Sequence, residues 1–196
     1  MKNGPVLITA ATADPVTVGE AKSFCQITGS DSDVLLTNFI TGATAYVQQR
    51  ICQQLMPATF LEVWDWFEAD TLTVDRTPLS SVSFVKYYDA GTELLTTIDS
   101  GNYYVDTYSR RPRIVPISTY TWPSVMDRPN AVQVQYVAGY ANAATVPQML
   151  KQAIMTLVYH WFDLGRRPMI ATGAVPMSVP HSLDGLLDLN DRSGYS

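Results

Sequence analysis

The patterns along this 196-residue chain predict an α+β fold. The expected fold is a helical body of two N-terminal helices plus one long C-terminal helix, with an inserted antiparallel β region and an extended C-terminal arm. Three observations predict it. Apolar residues recur at three- and four-residue steps between Asp33 and Gln54 and again after Pro147, the period of a helix with one buried face. Between 58 and 140 the chain turns to Val, Thr, Tyr, Phe and Trp with two-residue alternation, which suits a pleated surface. After Gly165 prolines recur and no period is sustained. These shifts divide the chain into an N-terminal arm and helices (1–57), an inserted β region (58–144), a long helix completing the body (145–167) and a C-terminal arm (168–196).

Residues 1–16 read as extended, punctuated by Pro5 and Pro15. Thr17 followed by Glu20 forms a capping box, in which each side chain satisfies a free backbone N–H of the other residue. A short helix is expected from about Val18 to Ile27. "TGSDSD" is a break and a second cap. The next helix runs from Asp33 to about Gln54 on the stripe Leu36, Ile40, Ala43, Val47 and Ile51. Cys25 and Cys52 fall on these two helices and read as core thiols. Pro57 ends the helical region.

"YYDAGTELL" is expected to be a hairpin, with Gly91 taking the left-handed turn position at no Cβ cost. In "AVQVQYV", Val132, Val134 and Tyr136 alternate with Gln133, Gln135 and Val137, a strand with one wet face. Pro147 suits the first turn of the last helix, where its missing N–H is not needed. Leu150, Ala153, Ile154, Leu157, Val158, Trp161 and Phe162 form one stripe there. Burying each large member is worth about 1.5–3 kcal/mol before entropy. His160 lies on the flank of that stripe. The tail beyond is too apolar to be purely solvated. It orders against a partner or packs back on its own core, and both readings stay open.

Composition narrows the function classes. A net charge of −5 argues against general nucleic-acid binding, leaving room only for a local basic strip. Two cysteines in a chain this long are no disulfide scaffold and fit a reducing compartment. No run of about 18 apolar residues predicts a membrane span, and no signal peptide is expected.

Chemistry-bearing motifs are few. There is no phosphate loop, nucleophile elbow or metal-spaced Cys/His cluster. His160 and Asp163 are too few to hold a metal, and His181 falls in the loose tail. Cys52 and His160 would act together only if the fold joined them. Glu62, Asp65, Glu68 and Asp70 border Trp64, Trp66 and Phe67, a candidate stacking platform for sugar; the competing reading is an amphipathic strand with a wet face. Arg110, Arg111 and Arg113 form the densest basic spot, with Arg166 and Arg167 second. Arginines so grouped can contact phosphate or serve as a solvated turn or a salt-bridged rim.

One resemblance draws these features together. In order come "PVTVGEAKSFCQI", the acidic break "SDSD", a helix ending "ICQQLMPATF", "TPLSSVSFVKYYDAGTE", "NYYVDTYSRRPRIVP", "AVQVQYVAGY" and "VPQMLKQAIMTLVYHWFDLGR". This order resembles the head–tail connector (adaptor, head-completion) proteins of tailed bacteriophages, in the form with a β insertion between helices. The likeness spans about 15–190 and rests on the combined order, with no catalytic motif in it. It implies a structural virion protein, not an enzyme and without cofactor or metal. It implies a homo-oligomeric ring, usually twelve-fold, that docks on the portal protein and extends the DNA channel. The ring offers an attachment surface to a tail, stopper or tail-terminator protein, and genomic DNA passes through it non-specifically. The place implied is the head–tail interface of the virion, after assembly in the bacterial host cytoplasm and away from any membrane.

The family's C-terminal segment commonly reaches the portal. That implies a portal-docking arm here, carried by Met169, Ile170, Val175, Met177, Val179, Leu183, Leu186 and Leu187. Arg110, Arg111, Arg113, Arg166 and Arg167 are then candidate DNA-channel or rim contacts. An acidic channel protein is compatible with this, since phosphate contacts set DNA affinity and DNA must slide. The alternative function is a carbohydrate- or surface-binding virion module using the 62–70 aromatic and acidic strand. A small hydrolase using Cys52 or His160 is a third reading.

Overall fold

The computed structural model describes residues 2–68, 71–109 and 111–166. Three helices and antiparallel sheets make the α+β fold that the patterns predict. Two compact units divide the described chain: one takes the residues up to Thr12 together with Met56–Ala141, the other Ala13–Leu55 and the chain from Asn142.

The helical unit holds α1 (Val18–Cys25), α2 (Asp33–Arg50) and α3 (Gln148–Arg166). The predicted capping box is present. Glu20 N donates to Thr17 Oγ1 at 3.2 Å, and Thr17 N donates to Glu20 Oε2 at 2.7 Å. The Thr17 N–H and hydroxyl, both donating to Glu20 Oε2, hold the Glu20 carboxyl below its usual range. Helix α1 stops two residues earlier than expected because Gln26 turns left-handed, at φ 55°.

The break before α2 is not a side-chain cap, since Ser32 makes no capping bond. Asp33 in the first turn pairs instead with Lys22 at 2.8 Å, a carboxylate placed where the helix dipole favours it. Helix α2 also ends early. Cys52 is left-handed at φ 53°, and the Gln48 side chain accepts from Leu55 N at 2.8 Å. Neither cysteine is the core thiol expected: Cys25 is half-buried and Cys52 is exposed.

The predicted stripe of α3 is inward. Leu150, Ala153, Ile154, Leu157, Val158 and Phe162 are buried. Trp161 is half-buried and packs beside Gly42, where a Cβ would lie 3.5 Å from the indole, and edge-on to Phe39 at 6.1 Å.

In the β unit, β1 (Lys2–Thr9), β2 (Ala58–Trp64), β8 (Val132–Ala138), β4 (Leu79–Tyr88) and β5 (Leu95–Ile98) form one sheet in the order β1-β2-β8-β4-β5. The strands β3 (Leu72–Thr73), β7 (Arg113–Pro116) and β6 (Tyr103–Asp106) form a second. Every pairing is antiparallel. Strands β2 and β8 alternate buried and half-buried residues along their whole length, and their inward residues join one apolar cluster that includes Trp64, Leu72, Ile114 and Tyr136.

The β4–β5 hairpin is real, but Gly91 is not its left-handed residue; Glu93 is, at φ 59°. The Asp89 carboxylate collects the N–H groups of Gly91 and Thr92 at 2.9 and 2.8 Å. That Asx-type turn carries the first half of the reversal and leaves the left-handed step to Glu93.

Candidate interaction surfaces

The alternation of β2 has a chemical consequence. Ala58, Phe60, Glu62 and Trp64 share its inward side. Glu62 is therefore in the core, not on the wet face that the sequence reading gave it. Tyr136 on β8 donates to Glu62 Oε1 at 2.5 Å, and Asp75 N donates to the same oxygen at 2.9 Å. Lys2 on β1 brings its ammonium to 3.1 Å from Oε2, an ionic contact without hydrogen-bond geometry, and donates to Thr73 O at 2.7 Å and Asp75 Oδ1 at 2.5 Å. A buried carboxylate is tolerated only with such company. The network ties the first strand of the chain to β2, β8 and the segment after β3.

Burial raises the Glu62 carboxyl above its ordinary range, against the opposing pull of Tyr136 and Lys2. The sign follows by linkage. A carboxyl whose folded value is raised favours the folded state at low pH, and that contribution is lost as pH rises through the folded value. Glu62→Gln keeps an acceptor for Tyr136 and cannot ionise. The stability difference between the variant and the native chain should therefore move in the variant's favour as pH rises from 4 to 8, measured by urea unfolding at each pH. A move the other way would mean that Lys2 outweighs burial.

The carbohydrate platform is dismantled by the same alternation. Trp64 is buried and Trp66 is 56% exposed, so the two indoles share no surface. Asp65 accepts from Asn130 N at 3.0 Å, which lowers its carboxyl. Asp70 lies outside the described residues. What the structure does bring to Trp66 was not read from sequence. Phe67 stacks on Trp122 with centroids 4.7 Å apart, Tyr120 meets Trp122 edge-on, and with Pro116 and Pro123 they line an open cleft of about 360 Å³. The segment "TYTWP" was the available signal, but its partner Phe67 is more than 50 residues away.

Of the arginines, Arg111 is exposed, and Arg113 Nε donates to Asp106 Oδ2 at 3.1 Å. Ser109, more than Arg113, holds the Asp106 carboxyl down to about 2. Arg113 is thus salt-bridged. Arg166 closes α3, whereas Arg110 and Arg167 lie outside the described residues. So do the eight candidate docking residues Met169, Ile170, Val175, Met177, Val179, Leu183, Leu186 and Leu187. His160 is half-buried on the flank of α3. No group of three or more His, Cys, Asp or Glu able to hold a metal occurs among the described residues. No described helix is long and apolar enough to cross a membrane.

Exposed apolar residues lie at the two edges of the five-stranded sheet, as well as on the helices at Phe24, Val34, Leu35 and Tyr159. On β1, Val6, Leu7 and Ile8 are 55%, 52% and 51% exposed; at β5, Leu94 and Leu95 are exposed.

Residues 15–86, from before α1 through most of β4, match the family model described as phage gp6-like head-tail connector protein. That stretch is similar to a head–tail connector domain. Solved structures share its architecture over nearly its whole length. A chain in the neck of an empty GTA particle computed with C6 symmetry has a TM-score of 0.73 at 22% identity, covering 97% of this chain and 94% of that one. A chain in the virion of a native gene transfer agent (GTA) particle has a TM-score of 0.72 at 19% identity, with 94% and 93% covered. A chain in the neck of a native GTA particle computed with C12 symmetry has 0.70 at 22%, with 97% and 94% covered. No curated protein matches the chain by sequence. The matched stretch spans α1, α2, β2, β3 and most of β4.

Proposed function

We propose that this chain is the head-to-tail adaptor of a tailed-phage-like particle, a structural protein that forms a ring on the portal. In this reading the ring extends the DNA channel and presents the attachment surface for the tail or stopper. The match of residues 15–86 to the connector family carries the proposal. Folds like this one in particle necks computed with C6 and C12 symmetry support a ring of twelve.

The arm from 168 to 196 is assigned to portal docking through Met169, Ile170, Val175, Met177, Val179, Leu183, Leu186 and Leu187. Arg110, Arg111, Arg113, Arg166 and Arg167 are assigned to DNA-channel or rim contacts. With a net charge of −5, DNA should pass without retention, because affinity for duplex DNA comes largely from phosphate neutralisation.

The test is binding to portal rings from the same genome, imaged by electron microscopy, with the full chain and with a chain ending at Arg167. The full chain should cap the portal and the truncated chain should not. Capping by both would keep the adaptor role and move the contact to the body. Capping by neither, with both chains folded, would overturn the role.

A further inference from the structure

The five-stranded sheet leaves two edges open among the described residues. An open edge offers unpaired N–H and C=O groups to any other strand, and proteins usually blunt it with charge, shortness or a covering segment. Strand β1 is irregular in register between Asn3 and Val6 and between Leu7 and Thr9, but it is not short and no charge protects its outer half. Val6, Leu7, Ile8 and Thr9 carry no charge, the three apolar side chains are each about half exposed, and Pro5 removes a single donor. The opposite edge, strand β5, Leu-Thr-Thr-Ile, is short but likewise uncharged, and Leu94 and Leu95 stand exposed at its start.

The inference rests on the ring reading above. A closed ring of identical subunits needs heterologous interfaces, with two different surfaces of one subunit made to fit each other. The opposite edges of one sheet are such a pair. Their direction is set by topology. Each neighbour in β1-β2-β8-β4-β5 is antiparallel, so over five strands the first and last run the same way. We propose that β1 of one subunit pairs in parallel with β5 of its neighbour, so that the sheet continues from subunit to subunit around the ring. Val6, Leu7 and Ile8 then cover Leu94 and Leu95 of the neighbouring copy. The four residues of β5 limit the joint to about 13 Å of ladder, short enough to leave most of the interface to other surfaces.

The experiment is cysteine cross-linking in the full chain, in a Cys25→Ser, Cys52→Asn background; Asn suits the left-handed backbone at position 52. Each of Val6, Leu7 and Ile8 is changed to Cys in combination with each of Leu95, Thr96 and Thr97. Each variant is assembled with portal rings, imaged, and treated with a short bis-maleimide. The expected result is a ladder of covalent oligomers from the double variants and none from the single ones. Yield should follow the difference between the two residue numbers, as parallel strands require.

Yield that follows their sum would mean antiparallel strands and overturn the proposal. So would dimers from a single β1 cysteine, which mark a two-fold β1–β1 joint. Rings on the portal without any ladder would overturn the joint and leave the adaptor role standing. A chain that never forms rings would remove both.

Discussion

Trp64→Ala is expected to destabilise the protein by about 3–5 kcal/mol. The indole is fully buried, faces Lys2 on one side and Val132 on the other across the sheet, and lies under the Lys2 ammonium at 5.5 Å. Truncation would open a cavity in the cluster that joins the two sheets and remove one wall of the Glu62–Lys2 pocket. Trp66→Ala, one turn of the pleat away and exposed, should change stability by no more than about 0.5 kcal/mol. Urea unfolding of the two variants measures the contrast; a loss below about 1 kcal/mol for Trp64→Ala would contradict the core described here. The contrast also decides how a glycan-binding role has to be tested. Changing both tryptophans together would destabilise the β unit and so confound the loss of a site with the loss of the core, so Trp66→Ala alone is the informative probe.

Gly139→Ala should be nearly as severe, at about 3 kcal/mol or more. Gly139 follows the last residue of β8 with φ at +122°, and its N–H donates to Pro78 O at 2.9 Å. A Cβ there would lie 2.5 Å from the Met56 carbonyl oxygen and 2.6 Å from its carbon. Those are backbone atoms, which cannot swing aside as a flexible side chain can. Gly91→Ala is the control. Its φ is not left-handed and its Cβ would meet only the Asp89 carboxylate at 3.4 Å, so a loss under about 1 kcal/mol is expected. Thermal unfolding of the pair checks both, and equal effects would show that the close approach at Met56 is not what requires glycine at 139.

Much of the fold can be read without coordinates, and the reasons are local. Thr17 and Glu20 cap α1 because the partners are three residues apart. The α3 stripe and the alternation of β8 are periods of the chain itself. The misreadings also have physical causes. Glu62 was placed on a wet face because it is charged, although its parity with Phe60 and Trp64 already put it inward. A carboxylate can take that position only because Tyr136 and Lys2, 74 residues ahead and 60 behind, arrive there with a hydroxyl and an ammonium. Gly91 was given the left-handed step because glycine takes it most easily. The Asp89 side chain moved that step to Glu93.

Helix positions, strand parity, the capping box and the family likeness are properties of neighbouring residues and of their order, so they are present in the chain before it folds. Strand order is different. That β1 joins β2, that β8 runs between β2 and β4, and that β1 and β5 remain as open edges depend on contacts between residues tens of positions apart. Local propensity does not encode which of several similar strands will meet. Burial of Glu62, exposure of Trp66 and the two exposed apolar edges all follow from that long-range pairing, because a side chain's face has meaning only once the strands beside it are in place.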